Sequence, residues 1–183
     1  IETAKDTGMR PMLLTEGTEE DLEWLIKDDR WAIQEKKNGK KVEIRVDAET
    51  ITGANKSGLE CAIPEEVVEA LRGSIDFSEL DGEMIKNTYY TYDTMRGTKK
   101  EDYMGLGMTE RHGILTAFVA VLKLGNQLAI KVVSYITGEK NKRAFVEKML
   151  AEHREGVVFK RLDGKYLPGK IENIKKAVAI KVK

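Results

Sequence analysis

The apolar positions of this chain alternate with polar ones in some stretches and recur at helical spacing in others. Alternation is clearest at Val42, Ile44 and Val46. This is the period of a half-buried strand, and Trp31 to Ile33 predicts another strand just before it. Between them lie residues 34–41, where Asn38-Gly39 favours a tight turn with positive φ. We therefore predict a strand–turn–strand hairpin with Lys36 just before its bend.

Apolar residues at helical spacing predict four helices. These helices begin at a Thr18 cap, at Pro64, at a Thr109 cap and at about Glu139. Asp21 stands at the capping-box distance from the first cap, as a shorter substitute for Glu. The second helix is predicted to end at Gly73 and the third at Gly125, because glycine commonly ends a helix.

Short apolar runs between turn residues predict the remaining strands. They cover Ile51 to Gly53, Phe77 to Ile85 with an interruption at Asp81-Gly82, Tyr89 to Thr94, Leu128 to Tyr135, Gly156 to Lys160 and Val178 to Lys183. Residues 1–17 are predicted to form an irregular arm that packs on the core, and residues 96–107 a surface excursion. Because strands and helices mix without regular βαβ alternation, we expect an α+β fold with mainly antiparallel sheets flanked by helices.

Length and composition indicate a globular protein of one domain covering residues 1–183. The chain has 183 residues, of which 41% are hydrophobic and 34% charged, and its formal net charge is zero. Bulk charge therefore predicts neither nucleic-acid nor membrane binding. The charge is unevenly distributed, however, with nine basic and three acidic residues from Arg154 to Lys183. This basic segment either meets phosphates or is simply a solvated face, which is the commoner case.

The location and assembly of the protein are expected from what the sequence lacks. It has no apolar run of membrane length and no visible signal peptide, and a lone Cys61 fits a reducing compartment. We expect an intracellular protein, either cytoplasmic or viral and acting in a host cell. We also expect a monomer with no membrane partner.

Chemically useful side chains occur at four predicted turns or strand ends. They are Lys36, Glu83, Glu155, and the alternating pair Lys181 and Lys183. Taken singly, each signal is weak. Asp-Gly before Glu83 is an ordinary turn, and two lysines on a terminal strand usually protect a sheet edge.

Together and in this order, these segments resemble the motifs of the covalent nucleotidyltransferases, most closely the adenylation domain of ATP-dependent DNA ligases. The matching segments are Lys36-Lys37-Asn38-Gly39, Asp81-Gly82-Glu83, Tyr92-Asp93, Glu155 to Lys160, and Lys181-Val182-Lys183. Three further segments are similar to ligase sequences: Pro11-Met12-Leu13, the turn Asn55-Lys56-Ser57-Gly58 and the stretch Tyr166 to Lys170. The resemblance covers almost the whole chain and implies an ATP-grasp-like fold.

The resemblance implies that Lys36 attacks the α-phosphorus of ATP and becomes a covalent lysyl-AMP, with release of pyrophosphate. An ordinary lysine has a pKa of about 10.4, so nearby positive charge or a metal must lower it. Glu155 and Glu83 are the implied Mg²⁺ ligands, with a ribose contact as the alternative role of Glu83. The implied nucleotide-binding residues are Gln34, Glu35, Lys36, Lys41, Lys56, Glu83, Tyr92, Lys181 and Lys183.

Individual roles within this set follow from the same resemblance and from strand geometry. Tyr92 is in register to stack on adenine, and Gln34 lies on the strand face of Lys36, where it reads the polar edge of the base. Lys181 and Lys183 alternate with Val182, so both are expected on one face, where one or both would neutralise the α-phosphate in the transition state.

Three positions depart from the family pattern. Asn38, Lys41 and Lys56 stand where the family has Asp, Arg and Arg. Lysine cannot reproduce the bidentate contacts of arginine, so efficiency rather than the nucleophile is in question. The OB-fold domain that follows in ligases is absent from this chain.

The predicted function is the adenylation step of an ATP-dependent DNA ligase that seals nicked double-stranded DNA. An RNA ligase or an mRNA-capping guanylyltransferase shares the same skeleton and is the alternative enzyme. A catalytically weak nucleotide- or DNA-binding module is the alternative from another class.

Overall fold

A computed structural model describes residues 4–48, 50–72, 74, 77–123 and 129–183. Within these ranges the helices are α1 (Glu19–Lys27), α2 (Glu65–Leu71), α3 (Met108–Lys123) and α4 (Glu139–Ala151). The strands are β1 (Met12–Leu13), β2 (Thr15–Glu16), β3 (Trp31–Glu35), β4 (Lys40–Asp47), β5 (Thr50–Ala54), β6 (Glu60–Cys61), β7 (Ser78–Ile85), β8 (Thr88–Gly97), β9 (Glu101–Asp102), β10 (Ile130–Val132), β11 (Val157–Arg161), β12 (Gly169–Lys170) and β13 (Ala179–Val182).

The larger sheet has seven strands in the order β10-β8-β7-β4-β5-β6, with β9 paired to β8. Every pairing in it is antiparallel except that of β10 with β8. Its apolar face packs on α2 and α3. This core includes Val42, Ile44, Val46, Val67, Leu71, Leu115 and Val119. The alternation that predicted β4 therefore puts its apolar residues into this core.

The smaller sheet has four strands in the order β2-β13-β11-β3 and packs on α1 and α4. Its core includes Leu25, Ile26, Val146, Phe159 and Ile180. A third apolar cluster joins the two sheets, since Met95 lies on β8 and Ala179 on β13. The predicted α+β fold with mainly antiparallel sheets is confirmed.

The predicted hairpin around residues 34–41 is wrong. β3 belongs to the four-stranded sheet and β4 to the seven-stranded sheet, so residues 36–39 cross from one sheet to the other. Neither Asn38 nor Gly39 has a positive φ. Gly39 fits here for another reason, because an added Cβ would collide with the carbonyl oxygen of Met84 and lie 2.7 Å from Cγ1 of Ile85. The Asn-Gly pair marks a close approach of two chain segments rather than a hairpin turn.

The N-terminal arm is also more regular than predicted. Where it is described, from residue 4, it forms β1, which runs parallel to β12, and β2, which runs parallel to β13. Its apolar residues pack as expected, with Met9 and Met12 buried. The arm therefore adds an edge strand to the smaller sheet, because its backbone groups find partners near the end of the chain.

The four predicted helices are present, with small shifts at their starts. The Thr18 capping box forms, as the backbone N–H of Thr18 donates to Oδ2 of Asp21 at 2.8 Å. Pro64 is the cap of α2 rather than its first residue, and Thr109 is the second residue of α3. The predicted helix ends at Gly73 and Gly125, and the predicted strand start at Leu128, lie outside the described residues.

Two further strand predictions change in detail. β7 runs unbroken through Asp81-Gly82, with an irregular register to β8 at that point. The excursion at residues 96–107 begins as the end of β8 and then returns as β9. None of the helices within the described residues has the length and apolar character needed to cross a lipid bilayer.

Candidate active site

A cleft of about 400 Å³ lies where residues from both sheets and from the N-terminal arm meet. Its lining is strongly basic. Seven lysines line it: Lys36, Lys37, Lys41, Lys56, Lys160, Lys170 and Lys181. Three carboxylates accompany them, from Glu16, Asp81 and Glu83. This excess of positive charge favours an anionic ligand such as a polyphosphate.

Lys36 follows β3 at the mouth of the crossing between the sheets. Its backbone N–H donates to the carbonyl oxygen of Gly156 at 3.1 Å, and its Nζ lies 2.7 Å from Oε1 of Glu155. β3 pairs antiparallel with β11, with Glu35 opposite Val157. Two residues far apart in sequence are thus brought into direct contact by strand register. The other carboxylate oxygen of Glu155, Oε2, is buried and has no hydrogen-bond partner.

The backbone on either side of Lys36 is held by Tyr92. The N–H of Lys37 donates to Oη of Tyr92 at 2.9 Å, and the hydroxyl of Tyr92 donates to the carbonyl oxygen of Glu35 at 3.3 Å. The Lys37 amine is 2.8 Å from Oε2 of Glu35 and 4.6 Å from the centroid of the Tyr90 ring. The Lys37 amine therefore contacts Glu35 and the Tyr90 ring, whereas the Lys36 amine contacts Glu155.

A buried polar network forms the floor of the cleft. Lys41 makes an ion pair with Asp81, whose second oxygen accepts the hydroxyl of Tyr166 at 2.7 Å. The Tyr166 oxygen in turn accepts the backbone N–H of Met12 at 2.9 Å. Burial lowers the pKa of Lys41, but the adjacent Asp81 carboxylate outweighs it and leaves that pKa raised. Lys41 is therefore a permanent positive charge, and the network ties it to the arm.

Glu83 and Lys41 face each other in the register of β7 and β4. Burial raises the pKa of Glu83, while the charges of Lys41 and Lys36 act in the opposite direction. Glu83 therefore lies in the cleft beside two of its lysines.

Lys160 was not predicted as a site residue. It lies on β11, is 6% exposed, and its Nζ is 4.9 Å from the centroid of the Tyr92 ring. Burial lowers its pKa to about 8, against the pull of the Asp93 and Asp81 carboxylates. Val158 and Lys160 are two residues apart on β11, so both side chains lie on the face that lines the cleft. This spacing is the signal that could have identified Lys160.

The other predicted residues are distributed less evenly. Lys56 and Lys181 line the cleft, and Lys181 lies 3.6 Å from Glu16. Lys183 is exposed, follows the last residue of β13 and is not among the residues that line the cleft. Glu35 is half-buried and pairs with Lys37 and, at 3.6 Å, with Arg154.

Gln34 is 1% exposed and has a fixed orientation. Its Nε2 donates to the carbonyl oxygen of Val133 at 3.0 Å, and its Oε1 is buried without a hydrogen-bond partner. The engaged amide nitrogen fixes the orientation of the group, and an amide oxygen can only accept a hydrogen bond. A ligand donor, rather than a ligand acceptor, would satisfy it.

A metal ion would have few ligands here. Among the described residues, no group of three or more His, Cys, Asp or Glu side chains could hold a metal ion. Mg²⁺ commonly takes only one or two carboxylates and keeps several waters. The buried and unpartnered Oε2 of Glu155 is an oxygen donor of this kind. The residues present therefore fit a largely hydrated Mg²⁺ rather than a metal enclosed by protein ligands.

The comparisons with known proteins concern the fold. No family profile and no curated protein matches the sequence. The ligase domain of M. tuberculosis LigD superposes with a TM-score of 0.69 and 19% identity over 97% of this chain and 60% of that one. A Chlorella virus DNA ligase-adenylate superposes with a TM-score of 0.64 and 15% identity, over 94% of this chain and 66% of that one. The bacteriophage T7 ATP-dependent DNA ligase, solved with ATP, superposes with a TM-score of 0.61 and 11% identity, over 95% of this chain and 68% of that one.

These similarities show that the chain has the mixed α+β fold of DNA-ligase nucleotidyltransferase domains. It spans about 60% of the length of the LigD ligase domain that it matches.

Proposed function

We propose that this chain is the adenylating part of an ATP-dependent DNA ligase, with Lys36 as its covalent site. The observation that supports this most is the Lys36–Glu155 pair, with Nζ 2.7 Å from Oε1, beside a cleft lined by seven lysines. A side chain that is to attack a phosphate ester needs an amine, a proton acceptor and a positive environment for the phosphates. The amine and the positive environment occur in the cleft, and Glu155, beside it, is the proton acceptor.

The proposed reaction joins Lys36 to the α-phosphate of ATP. The neutral amine of Lys36 attacks the α-phosphorus, a P–N bond forms, and the bond from this phosphorus to the bridging oxygen of pyrophosphate breaks. Pyrophosphate leaves with the electron pair, and the amine loses a proton. Glu155 is the nearest carboxylate to that amine and is the acceptor that we propose for the proton.

The phosphates and the leaving group need positive charge that is already in place. Lys181, Lys41 and Lys56 line the cleft and supply it, in part because Asp81 holds Lys41 charged. Such preorganised charge stabilises the transition state without reorganisation during the reaction. Lys183 lies outside the cleft, so we assign the α-phosphate contact on β13 to Lys181 alone.

Mg²⁺ would be held by Glu155, through its unpartnered oxygen, with Glu83 nearby in the cleft. When bound, it supplies further positive charge to the phosphates. Glu155 would then serve both the cation and the amine through its two different oxygens.

The base of the nucleotide is proposed to be adenine. Tyr92 offers an aromatic ring at the cleft, and the unpartnered Oε1 of Gln34 is a pure acceptor. Adenine carries an amino donor at the position where guanine carries a carbonyl acceptor. Gln34 is buried behind the cleft lining, opposite the cleft residue Val158 in the register of β3 and β11. A base that reached its Oε1 would have to offer a donor, which favours ATP over GTP and so a ligase over a capping guanylyltransferase.

The DNA step is proposed from the similarity to ligases alone. The adenylate would pass to the 5′-phosphate of a nick, where the 3′-hydroxyl displaces AMP. The basic residues from Arg154 to Lys183 would meet the DNA backbone, with an affinity that falls steeply with salt.

The test is intact-mass analysis after incubation with Mg²⁺ and either ATP or GTP. We expect a gain of the mass of AMP with ATP and no gain with GTP. Lys36→Ala should abolish the gain and Lys40→Ala, at an exposed position next to the crossing, should not. Loss of the gain in both variants, or a modified peptide containing Lys37 rather than Lys36, would overturn the assignment.

A further inference from the structure

The hydroxyl group of Tyr92 bridges the two sheets next to Lys36. Tyr92 lies on β8 of the seven-stranded sheet, whereas Glu35 ends β3 of the four-stranded sheet. The hydroxyl accepts the N–H of Lys37 at 2.9 Å and donates to the carbonyl oxygen of Glu35 at 3.3 Å. Its two bonds therefore enclose the peptide units on both sides of Lys36.

We infer that the Tyr92 hydroxyl is a positioning group for the Lys36 amine, with a function separate from that of the Tyr92 ring. This inference rests on the proposed function, since it concerns how the nucleophile is aimed. Neither the ring stacking nor the charge of the cleft requires a hydroxyl at this position.

The backbone at Lys36 has few other restraints. Residues 36–38 belong to no strand. The hydrogen bond from the Lys36 N–H to the carbonyl oxygen of Gly156 attaches this segment to the smaller sheet but not to the larger one. The Tyr92 hydroxyl attaches the same segment to the larger sheet, which contributes Lys41 and Glu83 to the cleft. Lys36 is thereby fixed relative to residues of both sheets.

The chemistry of the hydroxyl suits this role. A phenol donates one hydrogen bond and accepts another, so it satisfies a backbone N–H and a backbone carbonyl at once. Burial raises the pKa of Tyr92, so the group keeps its proton throughout the neutral range. Phenylalanine would preserve the ring and lose both bonds.

The expected effect follows from the need for alignment. Displacement of a reacting group by about 1 Å can cost about 100-fold in rate. Tyr92→Phe should therefore lower the single-turnover rate of Lys36 adenylation by about 10- to 100-fold. The KM for ATP should stay within about twofold, because the ring remains. Tyr92→Leu, which also removes the ring, should raise the KM as well.

Tyr89→Phe is the matched control. Tyr89 is the fully buried tyrosine on the same strand, and its hydroxyl donates to the carbonyl oxygen of Val42 at 2.7 Å on the core side of the sheet. This variant loses a buried hydroxyl of the same kind and should be less stable, yet it should adenylate at the parent rate. A Tyr92→Phe variant that adenylates at the parent rate overturns the inference and leaves the proposed function intact.

Amide hydrogen exchange gives a readout that does not depend on activity. The Lys37 N–H should exchange faster in Tyr92→Phe than in the parent, and Tyr89→Phe should leave it unchanged. A parent chain that forms no adenylate would overturn the proposed function. In that case unchanged exchange at Lys37 would separately overturn the positioning contact, and faster exchange would support it.

Discussion

The ion pair of Lys36 and Glu155 stabilises one protonation state of Lys36, whereas the proposed reaction needs the other. The carboxylate stabilises the charged ammonium at 2.7 Å, while nucleophilic attack requires the neutral amine. In the proposed reaction Glu155 receives the proton. The proposed reactivity of Lys36 therefore depends on the balance between holding the ammonium and accepting its proton.

Glu155→Gln is the variant that tests this balance. Removal of a proton acceptor that also faces the cation should lower the adenylation rate by about 100-fold or more. The defect should be largest at limiting Mg²⁺ and should partly recover at high Mg²⁺ or Mn²⁺. Glu152→Gln, at an exposed carboxylate three residues earlier, is the control. Equal rates of Glu155→Gln and the parent at limiting Mg²⁺ would contradict both roles.

Glu43 is a second carboxyl group with an unusual environment. It is 1% exposed, and its Oε1 has no hydrogen-bond partner. Burial raises its pKa from 4.5 to about 8, with a further contribution from Asp81. Between pH 4.5 and 8 the folded chain keeps a proton that the unfolded chain releases. The contribution of Glu43 to stability therefore falls as pH rises through this window.

Glu43→Gln should remove this loss. Its free energy of unfolding relative to the parent should increase steadily from pH 4.5 to about 8 and then level off. Urea unfolding of both proteins at a series of pH values measures this. Glu60→Gln, at an exposed position on β6, should follow the parent. A constant difference between Glu43→Gln and the parent across the window would show that Glu43 ionises normally.

At the scale of elements, α4 shows how one helix stabilises the end of another. Lys142 is fully buried, and its Nζ donates to the carbonyl oxygens of Leu25, Asp28 and Trp31 at 2.8–2.9 Å. These oxygens belong to the end of α1 and the start of β3. Lysine at this point satisfies carbonyls that a helix C-terminus leaves without partners.

Lys142→Met should therefore destabilise the protein although the volume is nearly kept. The buried carbonyl oxygens of Leu25 and Trp31 would lose this donor, while that of Asp28 keeps the N–H of Trp31 at 3.1 Å, so the change should cost about 2–4 kcal/mol. Lys140→Met, at an exposed position of the same helix, should change the free energy of unfolding by less than about 0.5 kcal/mol. Denaturant unfolding of the two variants decides the matter, and equal stabilities would argue against the capping role.

The sequence predicted best those elements whose signals are local. The Thr18 capping box and the alternation in β4 depend on neighbours a few residues away, and both formed as expected. The pairing of β3 with β11 joins distant segments, and no local pattern distinguishes it from a hairpin with β4. Of the residues predicted from the site motifs, Lys36, Lys41, Lys56, Lys181, Tyr92 and Glu83 line the cleft. The burial of Lys160 and Lys142, by contrast, depends on the packing of whole elements. Of the alternating pair, Lys181 lines the cleft and the exposed Lys183 does not.

For the whole molecule, a buried ion pair fixes α3 to β8 of the larger sheet. Arg111 and Asp93 are 1% and 2% exposed and share hydrogen bonds of 2.8 and 3.1 Å. Arg111 also donates to the carbonyl oxygen of Gly164 at 2.9 Å, just after β11. One side chain of α3 thus connects β8 of the larger sheet to the loop that follows β11 of the smaller sheet.

Arg111→Leu should cost about 3–5 kcal/mol, because it leaves the Asp93 carboxylate buried and without its cation. The double variant with Asp93→Asn should lose much less than the sum of the two single losses. A double-mutant cycle from urea unfolding gives this coupling energy. Losses that add to within about 0.5 kcal/mol would show that the two groups act independently.

The crossing of residues 36–39 between the sheets has a consequence for the order of folding. The larger sheet is built mostly from neighbouring strands, such as β4 with β5 and β7 with β8, whereas the smaller sheet joins β3 to β11 and β2 to β13 from opposite ends of the chain. Closing such long loops is entropically costly, so we expect the larger sheet to become protected first in pulsed hydrogen exchange. Lys36 would then meet Glu155 only in the last stage, and a partly folded chain would have no reactive amine.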